Sequence, residues 1–311
     1  MAKALPVPDV AADTPIGAFA ARVIETRAAE VEAQLARPSR NGGTPGTVHD
    51  RRVALRRLRT ALEVFEPELP KKARSVRRDL KGVFSALGPR RDADVALELV
   101  RGIESQLASP DQPGWRGVVA ALEAEREASA AALDVEAARR ARADAESLAA
   151  RADGRGGAVA AKAMRKIAAR RLAAVRDGLG ALDDHTDAAG LHDLRIHAKR
   201  LRYVLEAAEP ALGETARDGA RAARDLQTVL GDVHDCDVLL PWLRAHRRAL
   251  RDEDVEASRS GRRPPNATRY RGIQAVDTQL RARRQTLVEQ AAGRRDAISA
   301  ELERVAAGLT R

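Results

Sequence analysis

Two stretches of the chain place the same charged residues at the same spacing. Residues 48–63 read VHDRRVALRRLRTALE and residues 191–206 read LHDLRIHAKRLRYVLE. At about 100° per residue, His49, Arg52, Arg56 and Arg59 fall within roughly 80° of arc on one helix face. His192, Arg195, Lys199 and Arg202 do the same in the second stretch. Beside each cationic ridge runs an apolar stripe: Leu55, Leu58, Leu62 and Phe65 in the first, Leu194, Ala198, Leu201 and Leu205 in the second. Like charges at i, i+3 and i+4 repel by a few tenths of a kcal/mol per pair. Only Glu63 and Glu206 close the ridges, so each ridge suits an anion. Arginine forks match phosphate oxygens, and an imidazole near a helix start can donate to one. Thr47, with Asp50 three residues on, is the candidate N-cap of the first ridge helix, and Gly190 with Asp193 holds the matching place. Arg57, Arg200 and His197 lie well round their helices and are set outside the ridges.

The elements that position these residues repeat. His49 aligns with His192 at an offset of 143 (192 − 49), and the register persists downstream. LGPRRDADV (87–95) meets LGDVHDCDV (230–238) at the same offset. Two separated blocks at one offset mark a tandem duplication of about 140–150 residues. Alanine, leucine, arginine and glutamate dominate, which predicts a nearly all-α chain. In the first unit the periodicity predicts helices over 18–37, 48–66, 71–87 and 92–107, the last N-capped by Asp92. A long Ala-rich helix to about 150 follows. The second unit repeats this order with a longer, charged loop at 252–271, expected to be flexible. Apolar stripes on antiparallel helices must bury against one another. The expectation is two tandem four-helix-type bundles related by an internal pseudo-twofold axis, divided as 1–155 and 156–311.

Composition narrows the partner. The chain has 311 residues, 55 Lys+Arg against 45 Asp+Glu, and a formal net charge of +10. That balance favours an anionic partner. Aromatics make up 2% of the chain, too few for the base-stacking platforms of single-strand binders. One cysteine, Cys236, excludes an internal disulfide or a cysteine-based zinc site. Its repeat counterpart is Ala93, which points to packing. The N-terminal segment lacks a signal-peptide core and no run of about 18 apolar residues exists, so the expected location is cytoplasmic, without membrane insertion.

The paired H-D-x-R-[VI]-x-x-x-R-L-R helices, each followed by LG-x-x-x-D-x-DV, resemble the CHAD domain (conserved histidine α-helical domain). The resemblance covers nearly the whole chain. It implies two four-helix bundles about a pseudo-twofold axis and a basic groove or pore that binds inorganic polyphosphate without catalysis. Carried over by residue, it implies ligand binding by His49, Arg52, Arg56, Arg59, His192, Arg195, Lys199 and Arg202. One departure is VHDCDV in the second unit, where His234 stands in place of the commoner arginine, its role left open. No E-x-E-x-K signature of a fused triphosphate tunnel domain is seen, so a stand-alone CHAD protein is expected, in the cytoplasm and associated with polyphosphate granules. Further cations extend the track: Arg22 and Arg27, matched by Arg165 and Arg170, then Arg74, Arg78 and Lys81, matched by Arg217, Arg221 and Arg224. Binding to such a track should be salt-sensitive through counterion release.

Other readings stay open beside this one. The ridges could be solvated faces, and His49 and His192 could be capping or core histidines. The aspartates of DAD and DCD suit N-capping and arginine pairing better than a metal, since i and i+2 do not share a helix face. No metal, cofactor or catalytic residue is assigned. The rival functions are nucleic-acid binding and, further off, phosphoanhydride hydrolysis, which would need a nucleophile or metal carboxylates near the ridge. Chain-length preference and oligomeric state are left unassigned.

Overall fold

The computed structural model describes residues 4–37, 43–129 and 134–310. The described chain is all-α. Its helices are α1 (Ile16–Leu35), α2 (Pro45–Val64), α3 (Ala73–Ala86), α4 (Gly88–Gly102) and α5 (Gln112–Ala128). They continue as α6 (Val135–Ala149), α7 (Ala160–Gly178), α8 (Ala188–Arg259), α9 (Tyr270–Gly293) and α10 (Arg295–Thr310). Helix α7 stands 143–144 residues after α1. The long α8 spans the positions equivalent to α2, α3 and α4 together. It bends at Gly213, whose φ of 55° and ψ of −128° lie outside the helical region. A side chain there would be strained, and Pro210 just before it removes a helical hydrogen bond.

Several boundaries differ from the sequence expectation. The cap of the ridge helix α2 lies three residues before Thr47: Thr44 is the N-cap, its hydroxyl accepting from the Thr47 N–H, and Pro45 takes the first helical position. In α8 the cap is Asp187, which accepts from the Gly190 N–H at 2.8 Å. Helix α4 starts at Gly88 with Pro89 in its first turn, so Asp92 is inside the helix rather than its cap. The Ala-rich stretch is two helices, α5 and α6. The expected loop at 252–271 shrinks to the ten residues between α8 and α9, and it is anchored. Buried Asp254 accepts from the Asn266 backbone N–H at 2.9 Å and from the Tyr270 hydroxyl at 2.6 Å.

Apolar stripes decide the packing. Leu55, Leu58, Leu62 and Phe65 are fully buried, as are Leu194, Ala198, Leu201 and Leu205. Truncating one such leucine costs about 2–5 kcal/mol. A large core cluster joins α1, α2, α3 and α6 to α7, α10, the C-terminal part of α9 and α8 as far as Val233. A smaller one joins α4 and α5 to the 239–250 stretch of α8 and the start of α9. Each cluster therefore draws on both repeats. Equivalent ends also meet: Ile16 N–H donates to the Ala158 carbonyl at 2.9 Å and Ala160 N–H to the Thr14 carbonyl at 2.8 Å. Close contact of α5 with α9 needs Gly114, where a Cβ would lie 2.1 Å from the Arg269 carbonyl oxygen. Trp115 pins α5 to α4 through its indole N–H, 2.8 Å from the Val100 carbonyl.

Candidate functional site

Where the two core clusters join, a cavity of about 670 Å³ opens between α2, α4, α5 and α8. Helix α2 sends His49, Arg52, Arg56 and Arg59 into it, and α8 sends Arg195 and Lys199. Helix α4 adds Arg91. Six Lys and Arg side chains thus face three carboxylates, those of Asp92, Glu125 and Asp235. The helical spacing explains the convergence: ridge and core stripe are adjacent, so burying the stripes of α2 and α8 against one core turns their ridges toward each other.

One aromatic ring organises the α2 ridge. The Arg52, Arg56 and Arg59 guanidiniums lie 4.2, 5.0 and 5.2 Å from the Phe84 ring centroid. Arg52 also donates to the Phe84 carbonyl at 3.1 Å. Cation–π contact holds these guanidiniums in place without neutralising them. Sequence reading missed Phe84, because no local pattern sets it apart from the other apolar residues of α3.

Burial among like charges shapes the protonation. Lys199 is pushed down to about 7, first by burial and then by Arg56, Arg195 and Arg59. Burial and the neighbouring Arg56 push Arg52 down to about 10. Burial holds His49 below its ordinary value, with Arg91 adding to it. Asp235 is raised to about 6 by burial and Asp232, against the pull of Arg195. Nε2 of His49 and Nε of Arg195 are buried without a hydrogen-bond partner, so each keeps unused hydrogen-bonding capacity.

The remaining ridge residues divide. His192 sits behind the cavity, its Nδ1 3.2 Å from Nδ1 of His234. His234 itself lines the cavity, and burial together with Arg195 drives it down to about 4. Arg202 points away. It is buried, donates to Glu206 at 2.7 Å, and lines a separate cavity of about 650 Å³ on the opposite side of α2 and α8, with Arg27, Arg57, Arg217 and Arg224. Arg200, set aside on helical angle, lies close enough to lower both Arg59 and Lys199 electrostatically. His197 hydrogen-bonds through Nδ1 to the Ala174 carbonyl oxygen at 3.0 Å, outside the site. Of the outer track, Arg22 pairs with Glu25, Arg74 with Glu66 and Arg221 with Asp218. Arg27 pairs with Glu30 in the core. Arg78, Lys81 and Arg170 are exposed and Arg165 is partly so; none of the four lines the main cavity.

Among the described residues, no group of three His, Cys, Asp or Glu side chains could hold a metal ion. Asp94 is taken up by Arg90 and Arg126, and Asp237 by Arg284 at 2.5 Å. Cys236 is fully buried, and burial raises its thiol to about 11. No described helix is long and apolar enough to cross a membrane.

The family model of the CHAD domain matches residues 22–244, most of the chain. The chain belongs to the CHAD domain family. Its fold is similar to the crystal structure of the CHAD domain from the plant Ricinus communis. There the TM-score is 0.68 at 25% identity, over 97% of this chain and 95% of that one. It is also similar to PptA from Streptomyces chartreusis, with a TM-score of 0.61 at 19% identity over 89% and 99% of the two chains. At that identity the second likeness is one of fold alone. None of the curated proteins matches.

Proposed function

We propose that this CHAD protein binds inorganic polyphosphate in the cavity between α2 and α8, without turning it over. The observation that carries the reading is the convergence of Arg52, Arg56, Arg59, Arg195 and Lys199, from both repeats, on one cavity with half as many carboxylates as Lys and Arg side chains. A chain of phosphates offers one charge per unit and acceptors all round, which matches arginine forks held in place but not neutralised. The repeated ridge motif supports the reading, since cations from both copies reach one place.

Titration calorimetry with long-chain polyphosphate tests this. Replacing Arg52, Arg56 and Arg195 by Gln and Lys199 by Met together is expected to abolish binding while the helical content stays intact. Undiminished binding by that variant would place the site elsewhere. Competition with duplex DNA and RNA separates the nucleic-acid reading, which predicts efficient displacement. Release of orthophosphate with Mg²⁺ or Mn²⁺ present would favour the hydrolase reading.

A further inference from the structure

The main cavity has two chemistries, and polyphosphate uses only one of them. Its α2 end is cationic. Its other end is walled by Val95, Ala96, Leu122, Val238, Leu239 and Trp242. Val238 is 48% exposed, a large apolar side chain left open inside a charged cavity. A bare phosphate chain is hydrophilic along its whole length and gains nothing from such a wall. The chain has only seven Phe, Trp and Tyr residues, and two of them, Phe84 and Trp242, line this cavity. Phe84 serves the arginines; Trp242 faces no cation of the ridge.

Trp242 is held in one orientation. Its ring lies parallel to His246, 5.2 Å between centroids and 7° between planes, and its indole N–H donates to Glu125 at 2.7 Å. A ring fixed before binding loses little freedom on stacking. Trp242 lies seven residues beyond Asp235, about 10 Å along the helix axis, and Asp235 sits in the electrostatic field of Arg195. A ribose can bridge an interval of that order between a base and its phosphates. The cavity volume of about 670 Å³ falls in the range of small-ligand sites.

We infer that the cavity takes a nucleoside di- or triphosphate, its phosphates on the Arg52–Arg56–Arg195 ridge and its base against Trp242. The inference rests on the anion-binding role proposed above and specifies the ligand further. Glu125, at the same end, offers a carboxylate acceptor to an exocyclic amino group of the base.

The experiment compares ATP with tripolyphosphate by calorimetry and tryptophan fluorescence, at equal ionic strength and without divalent cations. Tripolyphosphate has the same number of phosphates and at least as much charge, so any advantage of ATP comes from the nucleoside. ATP is expected to bind roughly tenfold tighter, the scale of one base–aromatic stack, and to quench Trp242. In Trp242→Ala the ratio of the two affinities should fall to about one. Trp242→Leu keeps an apolar side chain on the neighbouring core and gives the same readout if the alanine variant unfolds. If polyphosphates bind but ATP binds no tighter, or if its advantage survives both substitutions, the inference fails and the polyphosphate reading stands. If neither ATP, tripolyphosphate nor long-chain polyphosphate binds, both fail.

Discussion

Arg57 of α2 and Glu206 of α8 meet at 3.4 Å across the seam between the repeats, with both side chains almost entirely shielded from water. Glu206 also takes Arg202 at 2.7 Å, so one carboxylate holds a guanidinium from each repeat. Removing one partner of a buried pair costs about 3–5 kcal/mol, softened here for Arg57 by Glu30 at 3.8 Å. Glu206→Gln is therefore expected to lower the urea midpoint strongly. Glu63→Gln, at the equivalent position, loses only a half-exposed contact with Arg171, worth under about 1 kcal/mol. Equal losses in the two variants would show that this pair does not hold the seam.

Phe84 sets three guanidiniums over one ring. Phe84→Leu keeps the apolar volume but removes the ring face. Each cation–π contact is worth about 0.5–1 kcal/mol, so polyphosphate affinity should fall by roughly three- to tenfold with little change in melting temperature. Calorimetry and a thermal scan on the same preparation check this. A large drop in melting temperature with unchanged affinity would assign Phe84 to packing alone.

Lys199 titrates at about 7 in the ligand-free protein and Asp235 at about 6. As pH falls from 8 to 6, Lys199 gains its charge, and near 6 Asp235 begins to lose its own. Both changes make the cavity more positive. Polyphosphate binding should tighten over that interval and take up protons, which calorimetry in buffers of different ionisation enthalpy measures directly. Lys199→Met should flatten the profile above pH 7.

The same lysine costs stability. Its folded value lies below the unfolded 10.5, so between about pH 7 and 10.5 the unfolded chain holds the extra proton. Stability from this group rises with pH across that window, and the penalty is complete below 7. Lys199→Met is expected to raise the melting temperature at pH 6, by about 2–4 °C per kcal/mol of relieved charge burial and repulsion. It should also remove part of the rise between pH 7 and 10.

Much of this site was legible before any coordinates. The apolar stripes of α2 and α8 follow from a 3.6-residue period, and burial of Leu58 and Leu201 follows from the stripes. The cavity lining by Arg52, Arg56, Arg195 and Lys199 follows from their adjacency to those stripes. What failed depends on contacts that the repeat register does not predict. Arg202 shares the helical angle of Arg59, but Glu206 draws it to the other side, whereas Arg59 turns to Phe84. The residue 143 positions after Phe84 is Gln227, which offers no ring. His234 meets His192 at 3.2 Å across 42 residues of chain, a contact that no local spacing signals. The caps were misplaced by three residues because Thr44 and Asp187 precede the apolar period that signals each helix.

The unlike fates of Arg59 and Arg202 mean that the duplication is no longer redundant. Two first repeats placed together would present two Phe84 rings and no Lys199. Two second repeats would present no ring beneath their ridges, and their Arg202 side chains would be committed to Glu206. The cavity is a product of two copies that have specialised, one as the rigid arginine platform and the other as a titratable counterpart, so neither half can stand in for the other.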